Sequence, residues 1–391
     1  MKAFAKLLDR LTYVGDEEGP SFGEKLLSIN WILVLLLILL AGVGLAMLYS
    51  AASGSFEPWA SRQAIRFGIG LAVMIVVALI DLRIWMRFAY AIYGFTFLML
   101  VAVEAMGVVG MGAQRWIDLG VIQLQPSELM KIAVVLALAR YFHGPTLEDV
   151  GHPTRLIVPI ALVMLPVGLV LRQPDLGTAM MLMMVAGAIF FVVGVRLWKF
   201  LVVIGLGAGA VPVAWTLLHD YQRERILTFL DPERDPLGAG YHILQSQIAL
   251  GSGGVFGKGF LQGTQAHLNF LPERQTDFIF TMLAEEFGLV GGVGLLLLFV
   301  IVILYGVVIG LRSRTHFGRI LAIGLAFNLF LYVFINVAMV MGLIPVVGVP
   351  LPLISYGGTV MLATLGAYGF IICVYVHRDV RIPRRGLQSD I

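Results

Sequence analysis

Apolar residues in this chain run in long unbroken blocks: residues 29–49, 65–80, 84–105, 127–142, 155–171, 176–194, 198–216, 277–311, 320–343 and 354–376. About 20 apolar residues in a helix cross a bilayer, and a helix pairs its own backbone groups, so blocks without period-two alternation predict membrane helices. The expected fold is an all-α integral membrane protein, a polytopic bundle of about ten transmembrane helices spanning residues 29–376. Residues 217–276 form a hydrophilic stretch of 60 residues, predicted as one large loop. Residues 1–28 read as a cytoplasmic N-terminal segment and 377–391 as a basic cytoplasmic tail. The first block is followed by small residues, as a signal peptide would be, but it and the segment before it are too long for the usual cleaved form.

Composition sharpens this picture. With 59% hydrophobic residues, 13% charged and a mean hydropathy of +0.92, a soluble domain is excluded. The net charge is only +3, so the pI of about 9.0 reflects basic helix flanks and no nucleic-acid surface. The single cysteine, Cys373, lies inside an apolar block, which removes an intrachain disulfide and a thiolate zinc site. With the N-terminus cytoplasmic, the inner segments carry 17 Lys and Arg and the short outer loops four, namely Arg62, Arg66, Arg115 and Arg172. Both termini are therefore expected in the cytoplasm, with the large loop outside.

On that topology every unusual polar cluster falls on the outer side: Gln114 to Lys131, Arg172 to Asp175, Arg223 to Asp277, and Pro345 to Thr359. No ATP is available there, so bond formation would need a substrate that arrives activated. The run Gly251-Ser252-Gly253-Gly254-Val255-Phe256-Gly257-Lys258-Gly259 lacks the first glycine and the final Ser or Thr of a phosphate loop. It reads as a flexible or re-entrant loop, with an anion nest beside Lys258 as the alternative.

Asp277 stands at the mouth of the eighth block. The 35 residues from Asp277 to Leu311 would make about 52 Å of helix against a hydrocarbon core of about 30 Å, so the helix must project or break. Gly288, Gly291 and Gly292 are the places for a bend. Asp277 is either a functional acid near the headgroups or a helix-start residue capping free amides. Glu285, about 12 Å further along a straight helix, is too far for a close carboxylate dyad. Glu128 and Lys131, spaced i, i+3, form a charge pair at membrane depth that is structural or functional. Trp116, flanked by Arg115 and Asp118, is an interfacial-belt tryptophan or a sugar-facing one. Gln173 to Thr178 reads as a tight turn, and Pro350 to Thr359 as a broken helix or a plain loop.

The ordered set Trp116-Ile117-Asp118-Leu119-Gly120, Gln125-Pro126-Ser127-Glu128-Leu129-Met130-Lys131, Gln173-Pro174-Asp175-Leu176-Gly177-Thr178-Ala179, Gly251-Ser252-Gly253-Gly254, Leu271-Pro272-Glu273-Arg274-Gln275-Thr276-Asp277-Phe278, Glu285-Glu286-Phe287-Gly288 and Ile354-Ser355-Tyr356-Gly357-Gly358 resembles the SEDS family (shape, elongation, division and sporulation). Tyr241-His242-Ile243 and Gly263-Thr264-Gln265 are similar to its rod-shape branch more than to its division branch. The resemblance implies a peptidoglycan glycosyltransferase that polymerises lipid II, the undecaprenyl-diphosphate-linked disaccharide peptide, at the outer face of the bacterial cytoplasmic (inner) membrane during cell elongation.

Asp277 matches the family's catalytic aspartate; Trp116, Glu128 and Lys131 match residues its members require. Gln275 stands where many members have histidine, and Thr359 replaces a common serine. Arg223, Arg225, Lys258 and Arg274 are candidates to hold the diphosphate, and Ser355 is a further substrate-binding candidate. No cofactor is called for, although a divalent cation, Mg or Mn, stays open and its ligands unknown. Implied partners are a class B penicillin-binding transpeptidase, the elongation machinery and membrane lipid. A lipid II flippase and a non-catalytic scaffold for a transpeptidase are the other classes; the first lacks an evident charged path or inverted repeat, and the second leaves Asp277 unexplained.

Overall fold

The structure, a computed structural model, describes residues 22–110, 113–118, 123–144, 152–217, 220–231, 239–264, 273–380 and 382. Residues 1–21 of the N-terminal segment, and 381 and 383–391 of the tail, lie outside the described residues. A short helix α1 (Phe22–Leu27) precedes α2 (Trp31–Ala51), α3 (Ala60–Leu79) and α4 (Leu82–Met106). Then come three strands, β1 (Val108–Gly110), β2 (Ala113–Asp118) and β3 (Gln123–Leu124), and α5 (Pro126–His143), α6 (Pro153–Arg172), α7 (Leu176–Val193) and α8 (Leu197–Leu217). The large loop holds α9 (Asp220–Leu230) and α10 (Ala239–Ser252), and the chain ends in α11 (Ile279–Arg312), α12 (His316–Val340) and α13 (Gly358–Val376).

Each of the ten apolar blocks became one helix, and the chain is a multi-pass membrane protein. Eight of these helices are long and apolar enough to span by length and hydropathy alone. The other two are α5, which carries Glu128, Lys131 and Arg140, and α8, apolar over Leu197–Pro212. Helix starts follow ordinary caps: Asn30, Asp81, Asp175 and Thr315 each accept a backbone amide at the starts of α2, α4, α7 and α12. Helices α5, α12 and α13 form the buried centre, whereas α8 is exposed along most of its described length and presents Leu201, Val203, Ile204 and Leu206 outward. Between lipid-solvated helices the gain is packing, so small residues sit at the crossings. Gly306 and Gly310, one turn apart on α11, lie against α12; a Cβ on Gly306 would come within 2.9 Å of Ala326 Cβ.

Of two local features, the first departs from the sequence reading and the second bears it out. Between α4 and α5 the chain forms a small antiparallel sheet of order β1-β2-β3, with Val108 opposite Trp116 and Ile117 opposite Leu124. And α11 is broken at Gly288, the first of the three expected bend points, where φ is 65° and ψ −162°. From Gly288 to Arg312 the remaining helix is about 37 Å, close to what a bilayer requires.

Alternating helix direction gathers the ends of α2, α4, α6 and α12 and the starts of α3, α5, α7, α11 and α13 at one end of the bundle. Hydrogen bonds cross it: Ser50 to Glu286, Gln63 to the Ser355 carbonyl (2.8 Å), Gln173 to the Leu100 carbonyl (3.1 Å) and Asn336 to the Asp277 carbonyl (2.9 Å).

Candidate active site

Asp277 lies in the turn Glu273–Phe278 just before α11 and is half-buried. Phe278 occupies the N-cap position with no side-chain cap bond, and the Thr276 hydroxyl donates to Glu273 (2.9 Å to Oε2), so neither Thr276 nor Asp277 is the helix cap. What fixes the turn is a set of bonds to its backbone. The fully buried Asn336 donates through one Nδ2 to the carbonyls of Asp277 (2.9 Å) and Val349 (2.8 Å). Ser355 Oγ donates to the Thr276 carbonyl (2.6 Å), and the Tyr356 amide to the Gln275 carbonyl (2.7 Å). The carboxylate oxygen Oδ2 faces Gly348, 3.6 Å from where a Cβ would stand. A carboxyl whose supporting backbone is held from three sides, one residue outside the N-cap position, is positioned for chemistry.

Residues 351–355 are neither a broken helix nor a plain loop. They are buried irregular backbone, admissible at this depth because its polar groups are paired: Leu351 N to Ser355 Oγ, Ser355 N to Leu351 O, and Ser355 O from Gln63. Ser355, expected to bind substrate, is itself 3% exposed and its hydroxyl is spent on Thr276 and Leu351, so it braces the Asp277 turn instead.

One turn before Asn336 on the same face of α12 is Tyr332, buried with Glu128 and Lys131. Lys131 Nζ lies 2.8 Å from Glu128 Oε1, and the Tyr332 hydroxyl bonds both Lys131 Nζ and Glu128 Oε2. The charge pair is thus a closed triad with an exposure of 5% or less at each member. Beside it, Asp175 caps α7, accepting from Thr178 N (3.1 Å) and Oγ1 (3.0 Å). Arg115 clasps the α6–α7 turn from β2, with Nη1 3.8 Å from Asp175 Oδ2 and Nε donating to Gln173 O (3.2 Å). Trp116 follows, half-buried on β2.

The glycine run docks on the break in α11. The Gly288 kink frees the carbonyls of Glu285 and Glu286, which accept from Lys258 N (3.0 Å) and Gly259 N (2.9 Å), while Leu289 and Val290 donate to Gly254 O (2.9 Å) and Val255 O (3.1 Å). A side chain at Gly288 would meet Gly257 N, and one at Gly257 would meet Glu286 O. Amides committed in this way form no anion nest. Lys258 differs from expectation in the same sense: its ammonium is 2.7 Å from the fully buried Glu285 and 2.8 Å from Thr264 Oγ1, and that buried carboxylate is what holds it. Arg223 also points elsewhere, closing the end of α8 through Trp215 O (3.0 Å) and Thr216 O (2.9 Å). The Arg225 side chain lies outside the described residues. Arg274, half-buried three residues before Asp277, stays at the site, and burial lowers its guanidinium pKa from the ordinary value. For Mg or Mn there is no ready cage: among the described residues no three His, Cys, Asp or Glu converge.

Sequence reasoning missed Tyr332, Asn336, Gln63 and Arg66. The first two were detectable as polar residues at i, i+4 in the second half of a largely apolar helix.

These features define a polytopic membrane protein with a braced acid at one end of its bundle, and comparison assigns the class. The chain belongs to the FtsW/RodA/SpoVE family of cell cycle proteins, whose model matches residues 30–380. Among individual proteins, it is 44% identical over 353 residues to the peptidoglycan glycosyltransferase MrdB of Escherichia coli K12, covering 89% of this chain and 94% of MrdB. A chain from a solved peptidoglycan synthase complex, described as coordinating polymerization and crosslinking, superposes with a TM-score of 0.78 at 34% identity, covering 90% of this chain and 98% of that one. The crystal structure of the rod shape determining protein RodA of Thermus thermophilus gives 0.69 at 30% identity, with 90% and 98% covered.

Proposed function

We propose that this protein is a peptidoglycan glycosyltransferase of the rod-shape branch, joining lipid II units into β-1,4 glycan at the outer face of the bacterial cytoplasmic membrane during elongation. Asp277 carries the reading: it is half-buried, braced through its own turn, and stands one residue outside the N-cap position of α11. A lipid-linked diphosphate is already a good leaving group and needs no protonating acid, so one base is enough. Asp277 takes the proton of the acceptor GlcNAc 4-hydroxyl as that oxygen bonds to the donor MurNAc anomeric carbon. The carbon–phosphate oxygen bond breaks, its electron pair leaves with the polyprenyl diphosphate, and the α-linkage inverts to β in one displacement. Arg274 supplies positive charge nearby, Trp116 is the sugar-facing candidate on the hairpin, and no step is routed through a divalent cation.

Partner and placement are part of the same proposal. The synthase-complex neighbour supports a class B penicillin-binding transpeptidase as partner. The basic-residue asymmetry supports cytoplasmic termini and an outward Asp277. The deciding assay is purified protein with lipid II, with and without that partner, read as glycan polymer; near-normal polymer from Asp277→Ala would remove the assignment. Sidedness has its own test. In a Cys373→Ser background, a cysteine at the exposed Ser252 should react with a membrane-impermeant maleimide on intact cells. Labelling only after the membrane is opened would favour a flippase or an inner-face transferase.

A further inference from the structure

Five of the described cations at this end of the bundle have identified partners. Lys131 has Glu128, Lys258 has Glu285, Arg115 has Asp175, Arg172 has Glu104 at 3.7 Å, and Arg223 has two carbonyls. Arg66, in the first half of α3, is half-buried and breaks the pattern. Its guanidinium carbon lies 4.9 Å from the Tyr356 ring centroid, and among the described residues no carboxylate or carbonyl accepts from its N–H groups. Stacking on an aromatic ring covers the flat face of a guanidinium and leaves its N–H edges to donate. Arg62, one turn earlier, is exposed.

The surroundings of Arg66 are tied to the Asp277 turn. Its stacking partner Tyr356 donates to Gln275 O at 2.7 Å, two residues before Asp277. Gln63, one turn back on the same face, is fully buried, donates to Ser355 O at 2.8 Å and leaves its Oε1 without a partner among the described residues. Arg66 Nε sits 3.1 Å from where a Cβ on Gly358 would be, so a side chain there would crowd it. It therefore rests against the start of α13, whose free amides are also positive. Two positive groups side by side, a guanidinium and a helix start, are complementary to an anion.

We propose that Arg66 is a substrate-holding residue that donates to the diphosphate of a lipid-linked substrate beside Asp277. This rests on the glycosyltransferase reading above. In that displacement the electron pair of the breaking bond moves onto the departing diphosphate, where the bidentate edge of a guanidinium is most effective. The retained diphosphate of the acceptor has the same chemistry, and kinetics separate the two.

The test uses purified full-length protein and lipid II. In the Asp277→Asn background, adding Arg66→Gln should weaken lipid II binding by about tenfold or more, the loss of a charged hydrogen-bonding partner, and Arg66→Lys should restore part of it. With Asp277 intact, Arg66→Gln should lower kcat if the departing diphosphate is held, or raise KM at unchanged kcat if the acceptor's is. Should Arg66→Gln not fold, Arg66→Lys alone should still weaken binding, because a point charge cannot replace the planar fork. Equal binding in both backgrounds together with an unchanged polymerisation rate would overturn the role of Arg66 and leave Asp277 as the base. Polymerisation surviving Asp277→Asn would instead remove Asp277 as the base, and no polymer from the parent protein would remove the glycosyltransferase reading, while the binding result would still report on Arg66.

Discussion

The Glu128–Lys131–Tyr332 triad and the Asp277 rim lie at the same end of the bundle, joined by one face of α12, and they treat charge in opposite ways. In the triad an acid, a base and a hydroxyl close on one another on helical backbone, each almost fully buried. At the rim the acid and the nearest cations, Asp277, Arg274 and Arg66, are half-buried on or beside irregular backbone. What is saturated there is the scaffold: Asn336, Ser355 and Tyr356 bind main chain and hold the turn that carries Asp277. A sealed pair lowers the cost of burying charge, and a braced, half-buried acid suits proton transfer.

The largest effect expected from breaking this contrast is on rate. Asp277→Asn should lower polymerisation by about 10²- to 10⁴-fold, the range for losing a general base. Stability should change by less than about 1 kcal/mol, since the turn is held by its backbone. Polymer yield and thermal unfolding of the same preparation check both halves.

The triad should answer in the other currency. Glu128→Ala or Lys131→Ala strands a buried charge and should cost about 3–5 kcal/mol; the swap Glu128→Lys with Lys131→Glu should recover part of it. Thermal unfolding of singles and swap gives the coupling. Two harmless single substitutions would show that the triad seals nothing.

How much of this was legible in the sequence depended on the range of the physics involved. Hydropathy is local, and ten blocks became ten helices, with only the start of α3 at Ala60, against an expected 65, displaced by as much as five residues. Chain length alone required α11 to project or break, and Gly288 followed from its glycine. The β1-β3 sheet was not expected although Val108-Val109 and Trp116-Ile117 are strand formers separated by glycine, because charge instead of alternation dominates the reading of that stretch. Partner choice was not legible. Lys258 and Arg66 look equally free in sequence, and only the fold brings Glu285 to one and leaves the other against Tyr356.

A third substitution asks whether the rim depends on the break in α11. Gly288→Ala puts a side chain at φ 65° and against Gly257 N, so the glycine run must lift from Glu285 and Glu286. The expected loss is about 2–3 kcal/mol, with faster hydrogen exchange at residues 253–259. Unchanged exchange there would mean that the loop docks without the kink.

The smallest effect belongs to Tyr332→Phe, and it sharpens the comparison most. The substitution keeps the ring that packs 4.2 Å from Lys131 Nζ and removes only the hydroxyl shared by Lys131 and Glu128. The pair itself stays at 2.8 Å, so the loss should be about 1–2 kcal/mol, one hydrogen bond to a charged group. Asn336, one turn further along, still holds the Asp277 and Val349 carbonyls, and the rate should stay within about twofold of the parent. A tenfold drop in kcat at unchanged stability would make Tyr332 part of the chemistry. The triad would then be an extension of the site through α12, and the division between a sealed region and an open one would fall.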